Sequence, residues 1–131
     1  MLSITSFYAG CLGILYLGLS FNVIRNRWKF RQSLGSGSEA QLEKSIRIHG
    51  NFSEYVPLIV IMMALLELNK ESVNLLHSFG IMLIVGRLLH AYGIAIKKVP
   101  NPYRIIGMSL TFICMIGSSI KLIFSALNNG F

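Results

Sequence analysis

The sequence predicts an all-α integral membrane protein with four transmembrane helices in a single domain, residues 1–131. Hydrophobic residues make up 53% of the chain and charged residues only 13%, whereas a soluble domain carries about 25% charged residues. The mean hydropathy is +0.62. The apolar residues form four long blocks, each close to the roughly 20 residues that a helix needs to cross a hydrocarbon core of ~30 Å. We therefore expect the lipid bilayer to surround this chain.

The first two blocks predict helices one and two. Helix one, about Ile4–Ile24, contains no charged residue and is followed by a basic segment in which Trp28 is an interfacial anchor. A short linker rich in glycine and serine comes next. Ser38 and Gln41 have the spacing of a capping box, so helix two is predicted to begin there and to run to about Leu66.

Helices three and four follow a tight polar turn at Glu67–Ser72. Helix three is predicted over about Val73–Ile96, because Pro100 and Pro102 interrupt the chain after it. Helix four is predicted over about Tyr103–Leu127. Helices two and three are joined by a short turn and are therefore expected to run antiparallel.

The lysine and arginine residues predict how the helices are oriented in the membrane. They concentrate in the connections between helices one and two and between helices three and four, whereas the turn between helices two and three holds only Lys70. Because basic connections remain in the cytoplasm, both termini are predicted to lie outside it. The net charge of +7 is thus attributed to membrane orientation, and nucleic acid is not expected as a partner.

A polar cluster at the start of helix two is the main functional signal in the sequence. At ~100° per residue, Arg47, Asn51 and Glu54 fall within about 60° of one another, with Tyr55 beside them. A charged side chain in the middle of a membrane costs on the order of 3 kcal/mol, so Glu54 requires a partner or a water-filled cavity. Arg87 on helix three lies at a similar depth and is the predicted partner.

These residues predict a polar pocket between helices two and three that opens toward the cytoplasm. His90 lies one turn from Arg87 on the same helix face and adds an imidazole. Guanidinium groups bind carboxylates, and a carboxylate such as Glu54 accepts from an ammonium or amide group. The pocket is therefore complementary to a small zwitterionic peptide with surplus negative charge. The structural alternative is a buried Glu54–Arg87 ion pair that only fixes helix packing.

Other residue patterns limit the chemistry. His49 points about 160° away from the Arg47–Glu54 stripe, so it serves a different site, lies at a helix interface or reaches a neighbouring subunit. No second carboxylate or histidine lies at ligand spacing near Glu54, so no metal site is predicted. The chain contains no aspartate and hence no Ser–His–Asp set.

Helix two also carries a run of residues at distinctive spacing: Arg47, Asn51, Glu54, Tyr55 and Pro57. This run resembles the signature of the MAPEG superfamily, the membrane-associated proteins of eicosanoid and glutathione metabolism. The resemblance covers most of the chain and is greatest to the small bacterial, YecN-like branch. It implies a left-handed four-helix bundle that assembles as a homotrimer in the bacterial inner membrane. Glutathione, as a cosubstrate, would bind between adjacent subunits on the cytoplasmic side.

The resemblance also implies roles for individual residues. Glutathione would be held from one subunit by a group on helices two and three: Arg47, Asn51, Glu54, Tyr55, Arg87 and His90. The neighbouring subunit would contribute Arg27 and His49. His90 stands where leukotriene C synthase has a tyrosine that contacts glutathione.

The chain departs from the synthases at two positions on or after helix three. The second tyrosine of that helix is replaced by Ile94, and the arginine credited with stabilising the glutathione thiolate has no direct counterpart. Lys98 and Arg104 lie nearest to it and are the candidate catalytic residues. A free thiol has a pKa of about 8.5 and is mostly protonated at neutral pH, so a nearby cation is needed to favour the thiolate.

Three functions remain open from the sequence. The first is a membrane glutathione transferase or peroxidase whose lipophilic second substrate, an electrophile or a lipid hydroperoxide, enters from the bilayer. The second is a non-catalytic binding module for glutathione or a lipid. The third is a small transporter, but in small proton-coupled exporters the buried glutamate usually lies in the first helix and both termini lie in the cytoplasm.

Overall fold

The computed structural model describes residues 1–96 and 101–129, except for the side chain of Asn129. Within these ranges the chain forms four α-helices and no strand. The helices are α1 (Ser3–Phe30), α2 (Ala40–Leu68), α3 (Val73–Ala95) and α4 (Pro102–Asn129). All four are long and apolar enough to cross a membrane. The predicted all-α, four-helix membrane protein is confirmed.

α1 is longer than predicted, because the basic segment after Ile24 continues the helix to Phe30. Lysine and arginine have good helix propensity, and positive side chains near a helix C-terminus complement its dipole. Arg31 closes the helix in a left-handed backbone conformation with φ 54°. Nη1 of Arg27 then donates to three carbonyl oxygens of the linker, those of Gln32, Ser33 and Gly35.

The predicted capping box at the start of α2 is wrong. Glu39 is the N-cap residue, and no side chain caps this end of the helix. Gln41, which the capping box required, instead accepts a hydrogen bond from Lys29 at 3.0 Å. Gln41 therefore bonds across the linker to α1, and not to the backbone at the start of its own helix.

The core lies between α2 and α3, with narrower contributions from α1 and α4. Ile59 and Met63 of α2, Leu83 of α3 and Cys114 of α4 are 0% exposed. Many large apolar side chains instead point outward, among them Ile14, Phe21, Leu65, Ile81 and Ile123. In a membrane such an apolar outer surface is stable, because lipid or another subunit covers it.

α3 and α4 approach each other closely where their glycines meet. A Cβ atom added to Gly107 would lie 2.6 Å from the carbonyl oxygen of Gly86 and 2.6 Å from the backbone nitrogen of His90. A Cβ atom on Gly93 would lie 2.6 Å from the backbone nitrogen of Arg104. Small residues are what allow two membrane helices to touch in this way. The contact sets His90 and Arg104 side by side, facing α2.

Candidate ligand-binding site

A cavity of about 220 Å³ lies between α2, α3 and α4. α2 lines it with Ile46, Arg47, Gly50, Asn51 and Glu54, and the other helices contribute His90, Ile94 and Arg104. The polar residues of α2 recur every three or four positions and therefore share one helix face. The structure thus brings five of the predicted site residues around one space: Arg47, Asn51, Glu54, His90 and Arg104.

Glu54 provides the negative charge of this cavity. It is the one acidic residue among those that line the space, and its side chain is exposed in the single chain. The salt bridge found within residues 1–96 and 101–129 is the one between Lys121 and Glu71, at 3.0 Å. The Glu54 carboxylate is therefore available to a ligand cation.

The predicted ion pair between Glu54 and Arg87 is wrong. Arg87 is 3% exposed, donates from Nη1 to Oδ1 of Asn51 at 2.7 Å and donates from Nη2 to Oγ1 of Thr111 at 2.6 Å. The rotation of α3 about its own axis directs the guanidinium toward these neutral acceptors between α2 and α4. Arg87 therefore stands behind the cavity wall and does not line it, and the alternative of a Glu54–Arg87 pair that only fixes packing is removed.

Tyr55 likewise lies beside the cavity without lining it. Its ring meets that of Phe112 edge to face, with centroids 5.7 Å apart. The guanidinium carbon of Arg87 lies 6.0 Å from the Tyr55 ring centroid. In the single chain, Tyr55 thus forms part of the packing around Arg87.

In the single chain His49 lies between α1 and α2, which is the helix-interface position among the three alternatives left open by the sequence. Its ring stacks on Tyr16 with centroids 4.6 Å apart, and its Nε2 is 3.1 Å from Oγ of Ser20. Ser20 also donates to the carbonyl oxygen of Tyr16, so the side chains of His49 and Ser20 are both held at the interface of α1 and α2.

Arg27 does not line the cavity in the single chain. It is bonded to the linker after α1. Lys98, one of the two candidate catalytic residues, lies outside the described residues. Arg104, the other candidate, lines the cavity from the first turn of α4.

A second cavity, of about 210 Å³, adjoins the first and shares Arg47, Ile94 and Arg104 with it. Its remaining lining comes from the start of α2, at Ala40, Glu43 and Lys44. The two spaces together lead from the end of the bundle that is predicted to be cytoplasmic to the Glu54 carboxylate. Three cations, Lys44, Arg47 and Arg104, and two carboxylates, Glu43 and Glu54, line this route.

Thr111 is the functional-site residue that sequence reasoning missed. It is 0% exposed and accepts the hydrogen bond of Arg87 described above. A single threonine in an apolar helix is common, so nothing in the pattern set it apart. The available signal was that Thr111, Cys114 and Ser118 recur every three or four residues, which puts small polar side chains on one buried face of α4.

No group of three histidine, cysteine, aspartate or glutamate side chains that could hold a metal ion is found within residues 1–96 and 101–129. Cys11 and Cys114 are both free thiols. The chemistry offered by the cavity is therefore that of ionic and hydrogen-bonding side chains.

Comparison with known proteins agrees with this architecture. The model of the MAPEG family matches residues 5–124. Two relatives named inner membrane protein YecN, from Escherichia coli strain K12 and from Escherichia coli O6:H1, are each 34% identical over 86% of this chain and 85% of their own length. No solved structure matches the chain significantly. The extent of the family match and the identity to these relatives establish that the chain belongs to the MAPEG family.

Proposed function

We propose that this protein is a glutathione-binding membrane enzyme, acting as a glutathione transferase, a peroxidase or both. The observation that carries the proposal is the carboxylate of Glu54, which has no ion-pair partner among residues 1–96 and 101–129, in a cavity whose other formally charged lining residues, Arg47 and Arg104, are cations. Glutathione is a peptide with one ammonium group and two carboxylates. Its ammonium group would bind Glu54 and one of its carboxylates the guanidinium group of Arg47, as charge-assisted hydrogen bonds. Membership of the MAPEG family supports this choice of ligand.

The second substrate would be lipophilic and would reach the site from the bilayer. In the transferase reaction the thiolate sulfur attacks an electrophilic carbon, a carbon–sulfur bond forms, and the displaced electron pair departs with the leaving group. In the peroxidase reaction the thiolate attacks a hydroperoxide oxygen, the oxygen–oxygen bond breaks, and the alkoxide takes a proton to leave as an alcohol. A second glutathione then converts the sulfenic acid to glutathione disulfide and water.

Either reaction requires the thiolate form of glutathione. Lowering a thiol pKa by about 2 units takes about 2.7 kcal/mol of preferential thiolate stabilisation. Arg104 stands where the two adjoining cavities meet, and we propose that its guanidinium supplies part of this stabilisation. Lys98 remains the second candidate for the same role.

We further propose that the protein is a homotrimer in the bacterial inner membrane, with both termini outside the cytoplasm and the cavity facing it. The exposure of Glu54 in the single chain supports an assembly in which a neighbour completes the site. α1 also buries few of its residues, namely Thr5, Tyr8, Leu12 and Asn26. In this assembly, Arg27 and His49 would act in the neighbouring subunit's site. The membrane location follows that of the relatives named inner membrane protein YecN.

Calorimetry of the detergent-purified protein with glutathione tests the proposal directly. The wild-type protein should bind glutathione, and Glu54→Gln should weaken binding on the order of 10- to 100-fold, because a charge-assisted hydrogen bond to the ligand ammonium group is lost. Glu71→Gln is the matched control, since it removes a carboxylate that is paired with Lys121 outside the cavity. It should leave glutathione affinity unchanged.

Turnover with a chlorodinitrobenzene and with a lipid hydroperoxide separates catalysis from binding. Arg104→Ala should lower turnover more than affinity and should move the pH of half-maximal rate upward, because a less stabilised thiolate forms at higher pH. Binding without turnover of either probe would leave the binding module as the function. Failure of the wild-type protein to bind glutathione would overturn the proposal.

A further inference from the structure

We infer that Arg87 is a positioning residue that fixes the side chain of Asn51 as a hydrogen-bond donor toward the cavity. The inference rests on the proposed function, because it names the ligand groups that the same cavity selects. It is derived from a buried row of polar groups that crosses the bundle from α4 through α3 to α2. The row consists of the Gly107 carbonyl, Thr111, Arg87 and Asn51.

The direction of each hydrogen bond in this row is determined by chemistry. Oγ1 of Thr111 donates its single proton to the carbonyl oxygen of Gly107 at 2.9 Å. It can therefore only accept from Nη2 of Arg87, at 2.6 Å. A guanidinium has five donors and no acceptor, so the atom of Asn51 that meets Nη1 of Arg87 at 2.7 Å must be the amide oxygen.

Burial makes this arrangement difficult to reverse. Thr111 is 0% and Arg87 3% exposed. Among the described residues, Nε of Arg87 already has no hydrogen-bond partner. Turning the Asn51 amide would place two donor nitrogens face to face and deprive a buried guanidinium of one more acceptor, which a low-dielectric interior penalises.

The consequence for the ligand is specific. Asn51 lines the cavity, and its amide nitrogen has no partner in the part of the chain that the structure describes. The cavity therefore presents donors from Arg47, Asn51 and Arg104 and one carboxylate acceptor, Glu54. An asparagine side chain can in general serve either a peptide N–H or a carbonyl group. With its oxygen occupied, it binds a carbonyl or carboxylate oxygen of the ligand and rejects an N–H.

Asn51→Asp tests the inference with little change of shape. Aspartate keeps an oxygen for Arg87 but places a second oxygen where the amide nitrogen was. We expect the variant to keep the unfolding temperature of the wild-type protein, and to raise the dissociation constant of glutathione by about tenfold or more. Asn51→Leu is the comparison: it removes both atoms, so it should lower the unfolding temperature and weaken binding less than Asn51→Asp does.

Thr111 provides an independent readout through Arg87. Thr111→Ser keeps the hydroxyl group and should bind glutathione like the wild-type protein. Thr111→Val removes the oxygen acceptor of Nη2 and leaves it only the weaker acceptor Sδ of Met108, at 3.4 Å. The variant should weaken glutathione binding severalfold, although Thr111 does not line the cavity. Equal affinities of the serine and valine variants would contradict the positioning role.

The outcomes distinguish this inference from the proposed function. If Asn51→Asp binds glutathione as tightly as the wild-type protein, Asn51 is not a donor and the inference is overturned. If Asn51→Asp unfolds as easily as Asn51→Leu, Arg87 does not fix the amide oxygen, with the same consequence. If the wild-type protein fails to bind glutathione, the proposed function is lost, while the unfolding temperatures still decide how Asn51 is held.

Discussion

The Glu67 carboxylate accepts the backbone N–H of Thr5 at 2.7 Å. It also accepts the N–H of Ile4, at 3.0 Å, so the end of α2 caps the start of α1. α1 has no side-chain cap of its own, since its N-cap residue is Leu2. A negative charge at this position satisfies two N–H groups that have no partner inside the helix and complements the helix dipole.

Removal of this cap should destabilise the bundle. We expect Glu67→Ala to lower the free energy of unfolding by about 1–2 kcal/mol, measured by thermal unfolding in detergent. Glu67→Gln should cost less, because an amide oxygen still accepts a hydrogen bond. Glu71→Ala is the control, since its salt bridge with a 46% exposed Lys121 is worth little. Equal losses at both positions would contradict the capping role.

Alanine should destabilise the protein at a glycine in the contact between α3 and α4 and stabilise it at a glycine that faces open space. In Gly107→Ala the new methyl group would meet backbone atoms of α3, so we expect a loss of about 1–3 kcal/mol or misfolding. Gly10 of α1 has no atom within 4 Å of a built Cβ, so Gly10→Ala should raise stability by roughly 0.5–1 kcal/mol. Unfolding temperatures of the two variants measure the difference. A tolerated Gly107→Ala would contradict the close helix contact.

Lys44 at the entrance of the cavity should control how fast an anionic ligand arrives. Its Nζ donates to the carbonyl oxygen of Ala95 at 3.3 Å, and Lys44 lines the second cavity, the one of about 210 Å³. Lys44→Glu should lower the association rate of glutathione roughly 2- to 10-fold at low ionic strength, and less at high salt. Lys70→Glu makes the same charge change in the turn between α2 and α3. Stopped-flow measurements should show little effect of that control variant, and equal effects would contradict entry past Lys44.

The orientation predicted from the basic residues is testable by cysteine labelling. Cys11 and Cys114 are first replaced by alanine, and a single cysteine is introduced at Ser3 or Ser38, both of which are exposed. A membrane-impermeant maleimide applied to intact spheroplasts should label position 3 but not position 38. The reverse pattern would put both termini in the cytoplasm and would favour a small transporter.

The helices were predictable because charges and prolines mark where apolar segments end. α3 begins at Val73 as predicted, and α4 begins at Pro102, one residue before the predicted start. The end of α1 was missed by six residues, at Phe30 instead of Ile24. A basic segment marks the end of the hydrocarbon region, but it does not end a helix.

The sequence predicted which site residues of one helix lie together, but not which side chains of different helices meet. The angular spacing along α2 correctly grouped Arg47, Asn51 and Glu54, because helix geometry alone fixes it. The predicted pairing of Glu54 with Arg87 failed, since it depended on the rotation of α3, which no single-helix pattern determines. That rotation is set by the close contact between the glycines of α3 and α4. Because glycine has no side chain, the pattern of side chains along a helix does not reveal this contact.

The same glycine contact determines which parts of the cavity can adjust to a ligand. Two backbones in direct contact cannot separate to make room, so the backbones at His90 and Arg104 keep a fixed spacing. Accommodation of ligands of different length therefore falls to the exposed, rotatable side chains around the cavity, which are Arg104 itself and, opposite it, Arg47 and Glu54. Exchanging these side chains is the route by which this bundle would acquire a new specificity.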